Sequence, residues 1–161
     1  MRSAITRVKV LKLGEVAVPA PVTDIALTEK GAFANPYLAG NVGGGVLKRF
    51  DVTFDYGKQR LLLQPNASFS GPDVYDRSGL WLNREGEGLQ VKDVVAGSPA
   101  AEAALKVGDT IVAIDGESGD KVLLPEVRAR FKTSPPGTKV RLTLKAGGET
   151  REVVLVLRDL V

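Results

Sequence analysis

Residues 97–116 constrain the fold of this chain more than any other part of the sequence. Ser98 is a residue type that caps the N-terminus of a helix, and Pro99 suits the first turn of a helix. The following residues, Ala100–Leu105, are mostly strong helix formers. Thr110–Ile114 is a short run rich in β-branched residues, which is typical of a buried strand. The segment therefore predicts a short capped helix that turns directly into a buried strand.

The rest of the second half predicts strands and turns around this segment. Short apolar runs and alternating apolar residues predict strands, and apolar residues four apart predict a helix. The predicted elements are strands at Gly79–Leu82 and Leu89–Val95, a second helix at Leu124–Phe131, and a final hairpin of Val140–Leu144 with Glu152–Leu157. This order predicts a mainly β, α+β fold with two short helices.

The first half of the chain has its own pattern of alternating apolar residues, which predicts half-buried strands. These strands are a hairpin of residues 8–10 with 16–18, a strand at 22–27, and a hairpin of 51–56 with 60–64. The stretch from Pro65 to Tyr75 has the Pro, Asn, Ser, Gly and Asp content of a loop. We therefore expect a domain boundary near residue 70, with domains at residues 1–70 and 71–161.

The composition removes several classes of function. The sequence has no cysteine and no histidine, which excludes disulfides, thiolate nucleophiles, Ser-His and Cys-His dyads and the commonest metal ligand. The net charge is +3, and the basic residues are scattered among acids, so the sequence lacks the basic stripe of nucleic-acid binding proteins. No apolar run is long enough to span a membrane, and residues 1–5 contain no signal-peptide core. We predict no cofactor, no metal site, no nucleic-acid partner and no membrane span, and an export signal would lie outside this chain.

Within residues 97–116 the sequence resembles the signature of PDZ domains in bacterial proteases. That signature contains glycine-serine-proline-alanine, a short helix, glycine-aspartate, a buried strand and Asp-Gly. The matching words here are Gly97-Ser98-Pro99-Ala100, Gly108-Asp109 and Asp115-Gly116. Ala104 stands where the family usually has glycine. The resemblance covers nearly all of residues 78–161, and it implies the circularly permuted PDZ form of bacterial proteins, in which the final hairpin closes the sheet.

The PDZ resemblance implies a site for extended peptides or protein C-termini. PDZ domains take a peptide as an additional strand on an exposed sheet edge, and a turn of consecutive N–H groups holds the terminal carboxylate. The family's turn reads Gly-apolar-Gly-apolar, and the matching residues are Gly79, Leu80, Trp81 and Leu82. Trp81 replaces the second glycine, so its side chain either narrows the pocket, swings out to contact the ligand or packs in the core.

The second predicted helix would form the opposite wall of this site. The candidate residues on it are Val127, Arg128 and Phe131. Many PDZ domains use a histidine at the start of this helix to bind a ligand hydroxyl. Because this chain has no histidine, we expect an apolar preference in the ligand.

Residues 42–63 resemble the closing segment of retropepsin-like aspartic proteases. There an apolar-apolar-glycine word precedes a short helix ending in leucine, a strand reading Val-x-Phe-Asp-Tyr and a return strand. Here Val42–Tyr56 and Leu61–Leu63 match these parts, whereas Asn41 stands where the family prefers an apolar residue. The resemblance implies part of a retropepsin-like β lobe followed by the PDZ domain. No aspartate begins the Asp-Thr-Gly or Asp-Ser-Gly loop that supplies the catalytic carboxylates, so no catalytic residue is assigned and this chain alone should not hydrolyse peptides.

Three hypotheses about function follow. The favoured one is the C-terminal fragment of an aspartic-type endopeptidase, with a periplasmic or secreted parent, whose PDZ domain binds peptides. The second is a non-catalytic peptide-binding adaptor or self-association protein. The third, a fragment of a PDZ-bearing serine protease, is disfavoured by the resemblance of residues 42–56 to retropepsin-like proteases. Part of a lobe would expose apolar strands, which predicts a homodimer formed through the first domain.

Overall fold

The computed structural model describes residues 3–27, 31, 34, 35, 37–146 and 148–161. The chain divides into two compact units, one ending at Asp73 and the other running from Val74 to Leu160. None of the described helices combines the length and the apolar character needed to cross a membrane.

The first unit consists of three antiparallel strand pairs and one short helix among its described residues. Strand β1 pairs with β4, β2 with β3, and β5 with β6. The bounds are β1 Ser3–Arg7, β2 Val10–Leu13, β3 Val16–Pro19, β4 Val22–Ala26, α1 Gly44–Leu47, β5 Phe50–Asp55 and β6 Arg60–Pro65.

A small apolar cluster holds the first unit together. Val18 on β3, Val46 on α1 and Phe50 on β5 are buried against one another, and the Phe50 ring meets the edge of Phe69 with 5.4 Å between the ring centres. Asp73 adds a polar tie, because its carboxylate accepts a hydrogen bond from the Val22 N–H at 2.9 Å. The helix and hairpin that close this unit are thereby joined to the earlier hairpin in one core.

The second unit is an antiparallel sheet with two short helices among its described residues. Its strands follow the order β12-β11-β9-β8-β7, and the short β10 pairs with β9. The bounds are β7 Leu80–Glu85, β8 Gly88–Val94, α2 Pro99–Glu102, β9 Thr110–Ile114, β10 Glu117–Ser118, α3 Leu124–Thr133, β11 Lys139–Ala146 and β12 Glu149–Val156.

The core of the second unit lies between the sheet and α3. Val127 and Phe131, four residues apart on one helix face, are buried among inward-facing residues of every long strand. The strand residues are Leu80, Leu82, Leu89, Val91, Ile111, Ile114, Val140, Leu142, Leu144 and Leu155. At about 25 cal/mol per Å² of apolar area, burial of these side chains is the main contribution to the stability of this unit.

The mainly β, α+β fold is confirmed, and the described residues contain three short helices rather than two. The additional helix, α1, is a single turn at the Gly43-Gly44-Gly45 word, where helix propensity is low and burial of Val46 contributes the stabilisation. The sequence pattern also missed β1 and β10. Their residues show little apolar alternation, and their pairing depends on β4 and β9 respectively.

Candidate functional site

Strand β7 ends the sheet of the second unit, and no described strand pairs with its outer side. A two-residue turn joins it to β8, so Glu85 lies opposite Gly88 and Asn83 opposite Gln90. In an antiparallel pair, every second residue directs its N–H and C=O away from its neighbour. This alternation leaves the backbone of Leu82 facing the free edge. The edge can therefore accept another strand.

An Asp-centred turn leads into β7. One carboxylate oxygen of Asp76 accepts hydrogen bonds from the Ser78 N–H at 2.8 Å, the Ser78 hydroxyl at 2.6 Å and the Gly79 N–H at 2.7 Å. The Leu80 N–H donates to the Ser78 hydroxyl oxygen at 3.1 Å. The first N–H groups of the turn are thus already satisfied within the chain, which fixes the start of the edge strand.

Gly79 has a positive φ of 77°, which favours glycine. A Cβ at this position would lie 2.2 Å from the Cβ and Oγ of Ser98. Ser98 is itself buried, and its hydroxyl accepts a hydrogen bond from the Ala101 N–H at 3.3 Å at the start of α2. The turn before β7 and the start of α2 are therefore packed directly against each other.

Trp81 points away from the core, and its side chain is 58% exposed. The alternation along β7 explains this position, because Leu80 and Leu82 on either side are both buried. Of the three arrangements considered for this residue, core packing is excluded. The indole lies on the outer face beside the free edge.

Arg128 connects α3 to β7. Its guanidinium donates to the Leu82 carbonyl oxygen at 2.6 Å and to the Asn83 side-chain oxygen at 3.3 Å. The same guanidinium lies over the Trp81 ring, 4.7 Å from its centre. The structure thus brings Arg128 together with Trp81 and Leu82, whereas Val127 and Phe131 lie in the core beneath the edge.

Arg84 is a residue of this region that the sequence reasoning missed. Its guanidinium donates to the Gly119 and Val122 carbonyl oxygens, in the segment before α3. These bonds tie the outer part of β7 to the entry of the helix. An arginine in an alternating strand normally indicates a solvated face, so the sequence contains no signal for carbonyl acceptors more than thirty residues away.

A small cavity of about 110 Å³ adjoins a different side of α3. It is lined by Ile114, Glu117, Val122, Glu126, Val127 and Arg130. The cavity is separate from the edge of β7, so it adds no contact to the edge site.

Asp115 lies beside the same side of α3, where it pairs with Arg130. Burial acts to raise the pKa of Asp115, but hydrogen bonds from the Arg141 N–H and the Arg130 guanidinium lower the pKa overall.

Comparison with known proteins identifies residues 70–145 with the family model described as "PDZ domain". The chain is 39% identical over 104 residues to the periplasmic pH-dependent serine endoprotease DegQ of Escherichia coli, which covers 64% of this chain and 22% of DegQ. It is 40% identical over 81 residues to the carboxyl-terminal-processing protease of Synechocystis, which covers 50% of this chain and 19% of that protein. The chain therefore spans about a fifth of the length of these relatives.

Among solved structures, the PDZ domain of the carboxy-terminal protease from Vibrio cholerae in complex with peptide is 25% identical, with a TM-score of 0.43. That match covers 52% of this chain and 93% of the solved domain. None of these relatives is named as an aspartic protease, and DegQ is a serine endoprotease, so the aspartic type expected for the parent protein receives no support from them. The second unit of this chain contains a PDZ domain, as its Gly-Ser-Pro-Ala and Gly-Asp words predicted.

Proposed function

We propose that the second unit binds extended peptides by adding them as a strand to the free edge of β7, alongside α3. The observation that carries this proposal is the position of β7 at the end of the sheet, with the Leu82 backbone facing outward and α3 next to it. An added strand would exchange backbone hydrogen bonds with Leu82 and Arg84.

Each predicted site residue has a role in this proposal. Gly79 allows the turn that starts the edge, and Leu82 supplies backbone bonding groups. Leu80, Val127 and Phe131 are buried in the core and support the edge from beneath, and the apolar preference of the ligand stays a prediction. Trp81 and Arg128 border the groove from the outer face of β7 and from α3.

A binding assay on the full chain tests the proposal. The probes are fluorescein-labelled C-terminal peptide libraries with either a free carboxylate or a carboxamide end, measured by fluorescence anisotropy on the wild type and on Trp81→Gly. We expect binding of apolar-ended peptides, and a change in affinity on Trp81→Gly. The matched control is Val154→Thr, which alters an exposed residue of β12 at the opposite edge and should leave binding unchanged. Binding that responds to Val154→Thr but not to Trp81→Gly would place the ligand at the wrong edge and contradict the proposal.

We further propose that residues 1–70 are the C-terminal portion of an aspartic-protease-like lobe, joined to a PDZ domain at residues 71–161. The supporting observation is the run α1, β5 and return strand β6, with Val46 and Phe50 buried against the earlier β2–β3 hairpin at Val18. The relatives named above are proteases, which is consistent with a peptidase parent but gives no support for this catalytic type.

The parent protein decides between the hypotheses. Its peptidase activity should be inhibited by a transition-state peptide inhibitor of aspartic proteases and abolished by substitution in an upstream Asp-Thr/Ser-Gly loop. Inhibition by a serine-directed reagent instead would favour the serine-protease hypothesis. A parent with no peptidase activity that still binds peptides would favour the adaptor.

The predicted homodimer rests on one exposed apolar patch in the first unit. Phe54 and Leu61 are paired across β5–β6, on the same strand face as Phe50, and both remain about half exposed. Tyr56 stacks on Phe54 with 6.2 Å between ring centres. Contiguous exposed apolar surface is typical of interaction sites. Light scattering after gel filtration should give a dimer that Phe54→Ser converts to monomer, and a monomeric wild type would contradict this prediction.

A further inference from the structure

Arg128 lacks a negative partner among the described residues. Its bonds go to a backbone carbonyl and an amide oxygen, and its face lies on the Trp81 ring. On the same helix, Arg130 pairs with the carboxylate of Asp115. A guanidinium forms its strongest hydrogen bonds with carboxylates. Arg128 is therefore held at the edge of β7 in contacts that a carboxylate would improve.

The contact with Leu82 uses a group that an added strand needs. The Leu82 carbonyl faces the free edge, where an incoming peptide N–H would donate to it. The Arg128 guanidinium donates to this carbonyl at 2.6 Å from the side of α3, where an added strand would lie. A carbonyl oxygen can accept two hydrogen bonds, so the guanidinium competes with the peptide for the space beside Leu82 and has to move aside for the strand to pair.

We propose that Arg128 and Trp81 form a latch that closes the β7 edge and that a peptide carboxylate opens. This inference rests on the proposed function. Arg128 releases the Leu82 carbonyl to the peptide backbone, keeps its place over the indole and takes the carboxylate as its new acceptor. The site therefore selects peptides that carry a carboxylate near the bound residue, supplied by either the chain terminus or an acidic side chain.

The described acidic residues near Trp81 do not pair with Arg128. Lys92 lies on the adjacent strand β8 and pairs with Glu85, and Asp93, opposite Trp81, accepts a hydrogen bond from the Val94 N–H at 2.9 Å. The Glu85 carboxylate forms an ion pair with the Lys92 ammonium at 2.8 Å, and the Asp93 carboxylate accepts a backbone hydrogen bond. Within the part of the chain that the structure describes, no carboxylate lies within ion-pair distance of Arg128, so the ligand must bring one.

Trp81 reports directly on the latch, because it is the only tryptophan in the sequence. In the ligand-free full chain, Arg128→Gln should change the emission of Trp81 and increase its quenching by acrylamide, since the guanidinium no longer covers the ring. Lys132→Gln, which removes a cation one turn further along α3, is the matched control for net charge. Equal emission and quenching in the wild type and Arg128→Gln would show that the guanidinium does not cover Trp81, and would overturn the latch.

Four labelled peptide pools with apolar last residues then test the selection. They combine Glu or Gln before the last residue with a free carboxylate or a carboxamide end, which separates the two sources of the carboxylate. The wild type should prefer at least one carboxylate-bearing pool by roughly tenfold over the neutral pool, the ratio expected for a charge-assisted hydrogen bond. Arg128→Gln should lose this preference and bind the neutral pool more tightly than the wild type does. Arg128→Lys should retain part of the preference.

The outcomes separate this inference from the function on which it rests. If the wild type binds all four pools equally and Arg128→Gln matches it, peptide binding stands and the latch is wrong. If no pool binds to the wild type or to any variant, strand addition at β7 is wrong and the latch fails with it.

Discussion

Gly79 and Ser98 approach so closely that a Cβ on Gly79 would lie 2.2 Å from both the Cβ and the Oγ of Ser98. Real side-chain atoms do not come this close, and Ser98 is fully buried, so it has little room to move. The contact joins the turn that begins the edge strand to the helix cap that carries the Gly-Ser-Pro-Ala word. The turn at Gly79 and the Gly-Ser-Pro-Ala motif are therefore parts of one packed structure.

The close approach predicts a large effect of Gly79→Ala on stability. Overpacking typically costs about 1–3 kcal/mol, and a left-handed backbone conformation adds roughly 1–2 kcal/mol for a residue with a Cβ. The matched control is Gly97→Ala, which has a similar positive φ of 69° but meets nothing within 4 Å. Urea unfolding of the full chain should show a clearly greater loss in the free energy of unfolding for Gly79→Ala than for Gly97→Ala. Equal losses in the two variants would mean that the contact with Ser98 relaxes without cost.

Ala104→Gly should stabilise the protein. Ala104 has a φ of 57° just after α2, a conformation that glycine adopts without strain. After allowance for the greater freedom of glycine in the unfolded chain, we expect a gain of about 0.5–1 kcal/mol. The control is Ala101→Gly within α2, which should cost up to about 1 kcal/mol. Thermal unfolding of both variants measures the difference. A destabilised Ala104→Gly variant would show that the positive φ of Ala104 costs little.

Removal of the Asp76 carboxylate should loosen the start of β7. Asp76→Ala leaves the Ser78 and Gly79 N–H groups without their acceptor, and each unsatisfied buried group costs about 1–3 kcal/mol. Asp76→Asn keeps an oxygen acceptor and should retain most of the stability. Asp159→Asn, which affects an ion pair between a largely exposed carboxylate and Arg77, should change stability by less than about 1 kcal/mol. Chemical unfolding checks the order of the three variants, and an Asp76→Ala variant as stable as Asp159→Asn would contradict it.

Asp115 should make the second unit less stable in acid. Its pKa is lowered in the folded state, because hydrogen bonds from the Arg141 N–H and the Arg130 guanidinium outweigh the opposing effect of burial. A lowered folded pKa means that the stabilisation is present above the unfolded pKa and is lost as the pH falls through the folded pKa. Asp115 is partly exposed, so the effect should be below about 1 kcal/mol.

Unfolding curves at neutral pH and below the ordinary aspartate pKa, for the wild type and Asp115→Asn, measure this contribution. The asparagine keeps an acceptor for the Arg141 N–H but cannot be protonated in this range, so its loss of stability in acid should be smaller. Identical acid sensitivity in both proteins would assign the effect to other carboxylates.

The sequence predicted those elements whose signals are local. Thr110–Ile114 has the predicted bounds, and Ser98 caps α2 as expected. Helix α2 ends earlier than its helix formers indicate, because Ala103 leaves the helical range and Ala104 takes a positive φ. In this case the tight turn toward the following strand overrides intrinsic propensity.

The PDZ resemblance implied a sheet edge as the candidate site, but the sequence did not predict the contacts there. It left open whether Trp81 packs in the core, and the structure places Trp81 outside while Leu80 and Leu82 point inward. The bridge from Arg128 to Leu82 joins residues 46 positions apart, and an exposed arginine on a helix has no sequence signal for a carbonyl acceptor. Contacts of this kind depend on the final packing of α3 against the sheet.

The strand order of the second unit also has a consequence for how the chain folds. Along the path from β7 through β8, β9 and β11 to β12, each strand adjoins its predecessor in sequence, with only the short β10 off this path. Every pairing can thus form soon after its second strand leaves the ribosome, without waiting for a distant partner. Pairing neighbours in sequence closes shorter loops, at a smaller entropic cost, than pairing distant strands does. The edge that we assign to ligand binding belongs to the first hairpin of this series, so both of its strands are synthesised before the helix that carries Arg128.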